Sequence, residues 1–406
     1  TSSDSPLIQY STRDPDDVPQ LLFSETGNEI ALVGFKIGTP LFAESLFTQA
    51  SVWNIEDNEV RSRLDLRLPS DRVTTASGDG KESLLVYVES ANHIESTVQR
   101  FTPFPNDASP FVRLGPPDEL IFNPMAPDRF YLSPNGQQVI QLHHDPLFTV
   151  KDEHTVLKQA NVDTLNPRGE AAYPTAGNST FTIASSSQPF SFWHPDSRRV
   201  ILPDAESTAQ FRLAERVEHG ANQSSSTPSF EADLAYFSPG GGYIITENQR
   251  SSNSPLSDGL AAHDINIYAV DSAPDTAPLL AVTAGEIAVQ PEDRNVAVYE
   301  SGSQELVLFE LATGEPIRKL VVEPTLTPEV LVFGQDGRFL AVVSSSDVAA
   351  HTLQIFNIAT GEPVLEAEQV APGRYQPSHF RFTPDGRRFI AASTDNGLVQ
   401  VWDIPE

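Results

Sequence analysis

The densest group of side chains that could bind a metal ion lies near residue 150. It consists of His143, His144 and Asp145, with His154 a few residues further along the chain. A short hairpin between these positions would bring the side chains together, and imidazole with carboxylate is a ligand set for Zn²⁺ and other divalent cations. No fixed metal-binding spacing is present, so a solvated polar hairpin is the competing interpretation. These four residues are the only candidate site residues that we predict.

The sequence patterns of nucleophilic and phosphate-binding sites are missing. There is no G-x-S-x-G segment, and residues 240–242 (Gly-Gly-Gly) are not followed by the Lys-Ser/Thr of a phosphate-binding loop. The chain contains no cysteine, which excludes disulfides, thiolate chemistry and cysteine-ligated zinc. We therefore predict no catalytic residue and no cofactor, and the sequence favours a protein without enzymatic activity.

The charge balance restricts the possible partners. The chain has 26 Lys and Arg against 55 Asp and Glu, a formal net charge of −29. Nucleic-acid binding needs a basic surface, and anionic lipid also repels such a protein, so we predict neither partner. No apolar run approaches the roughly 18 residues of a membrane span. The sequence begins at Thr1 without a methionine and is poor in lysine. We therefore expect an extracellular or periplasmic protein, with the cytoplasm as the remaining alternative.

The most regular pattern is at the end of the chain. Phe380 and Phe382 alternate with polar residues, and residues 383–386 (Thr-Pro-Asp-Gly) form a turn sequence. A short apolar run at 389–392, a second turn at 395–397 and a third apolar run at 398–402 follow. Period-two alternation and Asp/Asn/Gly turns predict three antiparallel strands. No helical stripe of any length occurs, so we predict an all-β protein.

Copies of this unit recur roughly 50 residues apart along the whole chain. Their turns begin at residues 24, 77, 133, 194, 238, 290, 334 and 383. Their predicted third strands are residues 51–55, 97–101, 155–159, 210–213, 265–268, 306–309, 353–356 and 399–402. A unit of three or four strands cannot bury both faces alone, so the copies must stack on one another.

The order of strand, Ser/Thr-Pro-Asp-Gly turn, two strands and closing Trp402-Asp403 resembles a WD40-type repeat. Two near-identical segments, 312–316 and 359–363 (Ala-Thr-Gly-Glu-Pro), resemble a hairpin common in bacterial propellers. The resemblance implies a single β-propeller domain over residues 1–406, with eight blades or, as the alternative, seven. The predicted blades begin near residues 19, 71, 128, 189, 231, 285, 329 and 378.

Two further features concern strand pairing and loops. Residues 7–10 precede the first blade, and we predict that residues 1–12 supply an outer strand to the last blade and a linker, which closes the ring. Segments rich in Pro, Ser, Gly and Asn predict surface loops. They are residues 34–49, 102–127, 161–187, 219–229 and 248–263.

These observations predict a scaffold that binds a protein partner or assembles with copies of itself, exported by a bacterium. The basis is a repeat architecture without a recognisable catalytic constellation. The alternative is an enzyme or ligand-binding propeller that acts on a sugar, lactone or peptide at the channel mouth, with or without a divalent cation. Two Asn-x-Ser/Thr sequons, at Asn178 and Asn222, leave open whether the chain is glycosylated.

Overall fold

A computed structural model defines the fold over the strands and many of their turns. The residues that it describes are 8–11, 20–24, 29–35, 47–55, 59–67, 73–78, 81–89, 96–101, 111–113, 129–132, 138–143, 153–161, 167–175, 193–196, 198–203, 210–215, 229–232, 234–249, 263–272, 276–300, 303–323, 325–345, 351–370, 380–392 and 398–405. Within these ranges all regular structure is strand, and no helix is long and apolar enough to cross a membrane. The prediction of an all-β protein is confirmed.

The chain divides into two compact units. Unit 2 comprises Gln20–Thr180 and Phe192–Glu231. Its described residues form antiparallel sheets, and the strands of each are adjacent in chain order. The sheets are β2 (Gln20–Phe23), β3 (Glu29–Phe35), β4 (Phe47–Asn54) and β5 (Glu59–Arg67); β6 (Val73–Gly78), β7 (Lys81–Glu89), β8 (Ser96–Phe101) and β9 (Phe111–Arg113); β10 (Arg129–Leu132), β11 (Gln138–His143), β12 (Glu153–Asn161) and β13 (Pro167–Thr175); and β14 (Arg199–Pro203), β15 (Gln210–Glu215) and β16 (Ser229–Glu231).

Unit 1 comprises Thr1–Pro19, Phe181–Ser191 and Ala232–Glu406. Its sheets are β17 (Leu234–Phe237), β18 (Tyr243–Gln249), β19 (His263–Ala269) and β20 (Leu280–Ala284); β21 (Glu286–Val289), β22 (Asn295–Glu300), β23 (Glu305–Glu310) and β24 (Pro316–Leu320); β25 (Thr327–Phe333), β26 (Phe339–Ser345), β27 (His351–Asn357) and β28 (Pro363–Val370); and β29 (Phe380–Phe382), β30 (Arg388–Ala392) and β31 (Leu398–Asp403) with β1 (Ile8–Ser11).

The pairing of the first strand with the last is the longest-range contact within a sheet. β1 runs antiparallel to β31, with Ile8 opposite Val401 and Ser11 opposite Leu398. It therefore takes the outer position of the last sheet, where the sequence places an additional strand. The described residues form four sheets in each unit. The number of blades and the closure of a ring stay predictions.

Two segments that we predicted as loops contain strands. β13 lies within 161–187 and pairs with β12 over nearly its whole length, and β9 lies within 102–127 and pairs with β8. Both are the last strand of their sheet, where proline is tolerated because one edge makes no ladder hydrogen bonds. The two prolines of β13, and the proline-rich segment around β9, therefore misled the prediction. The remaining parts of the five predicted loops lie largely outside the described residues.

Two of the strands that begin the sheets of unit 1 are buried on both faces. β17 and β21 have four consecutive buried residues each, whereas β27 alternates between buried and partly exposed positions. A strand enclosed by sheets on both sides needs apolar residues at every position, which explains runs such as Leu331–Phe333. The face of β25–β28 that carries Phe339 packs on Phe380 and Phe389 of the last sheet.

Four of the predicted turns share one geometry. The N–H of Gly241 donates to the Ser238 carbonyl at 2.9 Å, and Asp293, Gly337 and Gly386 make the same bond to Gln290, Gly334 and Thr383. The four donor residues, each at the fourth position of its turn, have φ values of 80°, 56°, 67° and 68°. Glycine adopts this left-handed conformation without steric cost, and Asp is one of the few other residues that tolerate it. The turn motif that the sequence repeats is thus a repeated backbone structure.

Candidate functional site

The predicted metal ligands lie on one hairpin of unit 2. His143 is the last residue of β11 and lies opposite Val156 in β12, two residues from His154. His144 and Asp145 lie outside the described residues. Within the described parts of the chain, no group of three His, Asp or Glu residues is placed to hold a metal ion. The divalent-cation site therefore stays a prediction, which elemental analysis of the purified protein can test.

A different concentration of acidic side chains occurs in unit 1, at the edge where β17, β19, β21, β23, β25 and β27 begin. We call this edge of the three sheets β17–β28 the carboxylate edge. Its described acidic residues come from strand ends and from the β24–β25 connection. They are Glu247, Asp264, Glu286, Glu300, Glu305, Glu323 and Glu329. Lys319 forms an ion pair with Glu305 at 2.6 Å and is the only Lys or Arg of these sheets that the structure describes near this edge, where His263 and His351 also lie.

Part of the carboxylate edge is buried. The hydroxyl of Tyr236 on β17 donates a hydrogen bond of 2.6 Å to Oε1 of Glu247 on β18. Glu247 is 3% exposed, and Glu286, at the start of the next sheet, is 4% exposed. Burial raises the pKa of Tyr236 well above its usual value, and the charges of Glu247 and Glu286 raise it further. Burial also raises the pKa of Glu247, and the hydrogen bond from Tyr236 opposes this shift.

A second polar group lies on the sheet β25–β28. The hydroxyl of Ser345 donates a short hydrogen bond to Glu329, and His351 lies directly opposite Ser345 in the sheet register. Burial lowers the pKa of His351, and the charge of Glu329 opposes that shift. Because Ser345 donates to the carboxylate, this arrangement differs from that of a nucleophilic serine, which donates to a histidine base. The group presents acceptor oxygens and does not form a catalytic triad.

The opposite edge of the same sheets carries the turns, and we call it the turn edge. Two of its acidic residues have basic partners: Arg294 lies 3.1 Å from Glu292, and Arg338 pairs with Asp336. Glu310, Glu315 and Glu362 are exposed at the same edge. The carboxylate of Asp293 accepts hydrogen bonds from the Ser238 hydroxyl at 2.7 Å and from the N–H groups of Gly240 and Gly242 at 2.9 and 2.6 Å. Several carboxylates at the turn edge therefore form hydrogen bonds or ion pairs within the protein.

Sequence reasoning missed the buried carboxyl groups. Glu247 ends an apolar run (Tyr-Ile-Ile-Thr-Glu) and appears in sequence as the polar end of a strand. Its burial depends on Tyr236, which pairs from another strand, and on the neighbouring sheet. The strand register could have predicted this burial. Glu247 lies opposite Leu234, so its side chain is on the face of the sheet that the next sheet covers.

The comparisons with known proteins address the fold. No protein-family model matches this sequence, and no curated protein sequence does. Chaetomium thermophilum Sqt1, solved in complex with the N-terminus of ribosomal protein L10, is 12% identical over 99% of this chain and all of that one, with a TM-score of 0.56. The β-propeller domain of Myceliophteria thermophila Cps50 (Swd1) is 11% identical over 98% of this chain and all of that one, with a TM-score of 0.47. The comparison with Sqt1, together with the repeated sheets and turns, shows that the chain has a WD40-like β-propeller fold.

Proposed function

We propose that the protein is a non-enzymatic scaffold that binds a basic segment of a partner protein along the carboxylate edge. The observation that carries the proposal is the row of partly exposed carboxylates along one edge of these sheets, whereas carboxylates at the other edge hold turns or pair with arginines. Asp264, Glu300, Glu323 and Glu329 lie at one edge, where Lys319 is the one described Lys or Arg and is already paired with Glu305. At the other edge, arginines pair with two of the turn carboxylates, Glu292 and Asp336.

Electrostatics makes such an edge selective for basic partners. Partly exposed carboxylates attract Lys and Arg side chains, raise association rates and repel acidic surfaces. The net charge of −29 strengthens this long-range preference. Two copies of the chain would bring two acidic edges together, so self-assembly through this edge is disfavoured. A separate basic protein is therefore the partner that fits best.

The similar fold of Sqt1 supports a protein partner. Its crystal structure contains the N-terminus of ribosomal protein L10 as a bound segment. A propeller of this kind can thus present a surface to a segment of another chain, and the fold alone does not specify which segment. For the present chain, the carboxylate edge indicates which segment would bind, namely a positively charged one.

A peptide-binding measurement tests the proposal. The probe is a synthetic peptide of about 12 residues that contains alternating Arg, Lys and Gly, and its affinity is measured by fluorescence anisotropy at ~50 and ~500 mM salt. The triple variant Glu300→Gln, Glu305→Gln and Glu329→Gln should bind about tenfold more weakly at low salt, because the edge becomes three charge units less negative and Lys319 loses its partner. High salt should remove most of the difference.

A matched control removes the same charge from the turn edge. Its substitutions are Glu310→Gln, Glu315→Gln and Glu362→Gln, all at exposed positions. This variant should retain the wild-type affinity within about twofold if the carboxylate edge is the docking surface. Equal weakening of both variants would show that only net charge matters, and absence of binding by the wild type would reject a basic partner.

We also propose that the protein is exported from a bacterium. The scarcity of lysine on an acidic chain supports this location. Fractionation of cells that express the full-length gene with a C-terminal tag tests it. Recovery of the tagged protein in the cytoplasmic fraction alone would contradict export.

A further inference from the structure

Tyr236 and Glu247 form a buried hydrogen bond, and the buried Glu286 acts on Tyr236 through its charge. These side chains have no role in peptide binding, because they are covered. They come from three strands of two neighbouring sheets, β17 and β18 in one and β21 in the next. Tyr236 is 7% exposed, and the two glutamates are more deeply buried. The group therefore places acidic side chains where two sheets of unit 1 meet.

An ionised carboxylate in this position is costly. Removing a carboxylate from water disfavours its charged form unless a cation or several donors replace the solvent. Glu247 accepts a hydrogen bond from Tyr236, a neutral donor, at 2.6 Å. A protonated carboxyl can accept this bond equally well through its carbonyl oxygen. The neutral acid therefore satisfies the geometry without the cost of a buried charge.

The neighbouring strands determine what else titrates near Glu247. On β19, Ile265 lies opposite Glu247, and His263 lies two residues away on the same face. β17 contributes Tyr236, and β20 contributes the apolar Val282 opposite Ile265. On the next sheet, Glu286 lies opposite Tyr299 of β22, and its charge acts on Tyr236.

We propose that Glu247 is the neutral acid in the folded protein, and that its ionisation loosens the contact between the sheets β17–β20 and β21–β24. Unit 1 would then be most stable in mildly acidic solution and would become less stable as the pH rises. This is a pH-sensitive structural contact, separate from the carboxylates that we assign to partner binding.

The direction of the effect follows from linkage. Burial raises the folded-state pKa of Glu247 above its usual value of 4.5. Its contribution to stability is therefore fully present below that value and is lost as the pH rises through the folded-state pKa. His351, whose pKa is lowered by burial, acts in the opposite sense, because its contribution is lost as the pH falls. A variant of Glu247 separates the two.

The test compares the melting temperatures of the full-length wild type and Glu247→Gln from about pH 4 to about pH 8. Glutamine keeps the acceptor for Tyr236 and cannot ionise. At about pH 4 the two proteins should have the same melting temperature. At about pH 8 the melting temperature of the variant should be ~2 °C or more above that of the wild type. Parallel curves at every pH would overturn the proposal.

Two controls define the origin of the effect. Glu315→Gln, at an exposed position of the same unit, should follow the wild type at every pH. The melting temperature of His263→Gln should fall with rising pH as much as that of the wild type does, since we assign the titration to Glu247. If His263→Gln abolished the pH dependence, the histidine would be responsible and the proposal would be wrong.

A local measurement keeps the test independent of how the variant folds. Hydrogen-exchange protection factors for β17, β18 and β21 of the wild type should fall as the pH rises, while those of β26 and β27 should not follow the same curve. In addition, the infrared carbonyl band of a protonated carboxyl should persist in the wild type above the usual titration range of glutamate. A pH-independent protection of β17 and β18 would contradict the proposal.

Discussion

The two edges of the sheets β17–β28 show opposite uses of charge. At the turn edge, carboxylates are bound within the protein: Asp293 joins the turn of its own sheet to the turn of the sheet before it through three hydrogen bonds. At the carboxylate edge, side chains such as Glu300 and Glu329 lie at strand ends without comparable links between sheets among the described contacts.

The difference shows how one repeat can serve two purposes. Contacts between turns fix the arrangement of consecutive sheets, as when Gln290 donates to the carbonyl oxygen of Gly337 at 2.8 Å. Once one edge holds the sheets, residues at the other edge are free to vary with the partner. We therefore expect substitutions at the turn edge to change stability, and substitutions at the carboxylate edge to change binding.

The largest loss of stability should come from Gly314→Ala at the turn edge. Gly314 has φ +70°, and a Cβ atom there would overlap the backbone carbonyl oxygen of Leu279 in the preceding sheet. Backbone strain and the steric overlap together should lower the free energy of unfolding by about 3 kcal/mol. Urea denaturation measures the change.

Gly361→Ala is the matched control in the second copy of the same hairpin. Gly361 has φ +77°, but its new Cβ would meet the side chain of Arg318, which can move. Arg318 also donates to the carbonyls of Ala359 and Thr360, so some of these bonds would be lost. The expected loss is about 1–2 kcal/mol. A loss equal to that of Gly314→Ala would show that the contact with Leu279 contributes nothing.

Asp293→Ala should have the next largest effect. It removes the acceptor of three hydrogen bonds from the preceding turn, and partial replacement by water limits the loss to about 2 kcal/mol. Alanine is also strained at φ 56°. Asp293→Gly removes the same carboxylate without that strain and should be about 1 kcal/mol more stable than Asp293→Ala. Equal stabilities would rule out strain as a component.

The smallest effect on stability should come from the carboxylate edge. The triple variant of Glu300, Glu305 and Glu329 used in the binding test should change the free energy of unfolding by less than about 0.5 kcal/mol per substitution. The relief of repulsion between like charges offsets the loss of the exposed Lys319–Glu305 ion pair. The same urea titration measures it. A large destabilisation would mean that these carboxylates hold the sheets together, and would end the distinction between the edges.

The sequence predicts local structure well and long-range polar contacts poorly. Each turn sequence carries its own geometry, so residues 383–386 and their relatives could be identified from local chemistry. Third strands such as β23 and β27 follow from short apolar runs. In contrast, the bond between Asp293 and Ser238 joins residues 55 positions apart. Its partners are ordinary turn residues, and only the packing of consecutive sheets brings them together.

The antiparallel pairing of β1 with β31 also has a consequence for how the protein is made. Ile8 and Val401 are far apart along the chain, so this sheet can acquire its fourth strand only after Val401 has been synthesised. Contacts between distant residues slow folding. In the interval, the outer edge of β31 can accept a strand from a neighbouring nascent chain. The concentration of newly made chains, rather than final stability, would then limit the yield of correctly folded monomers.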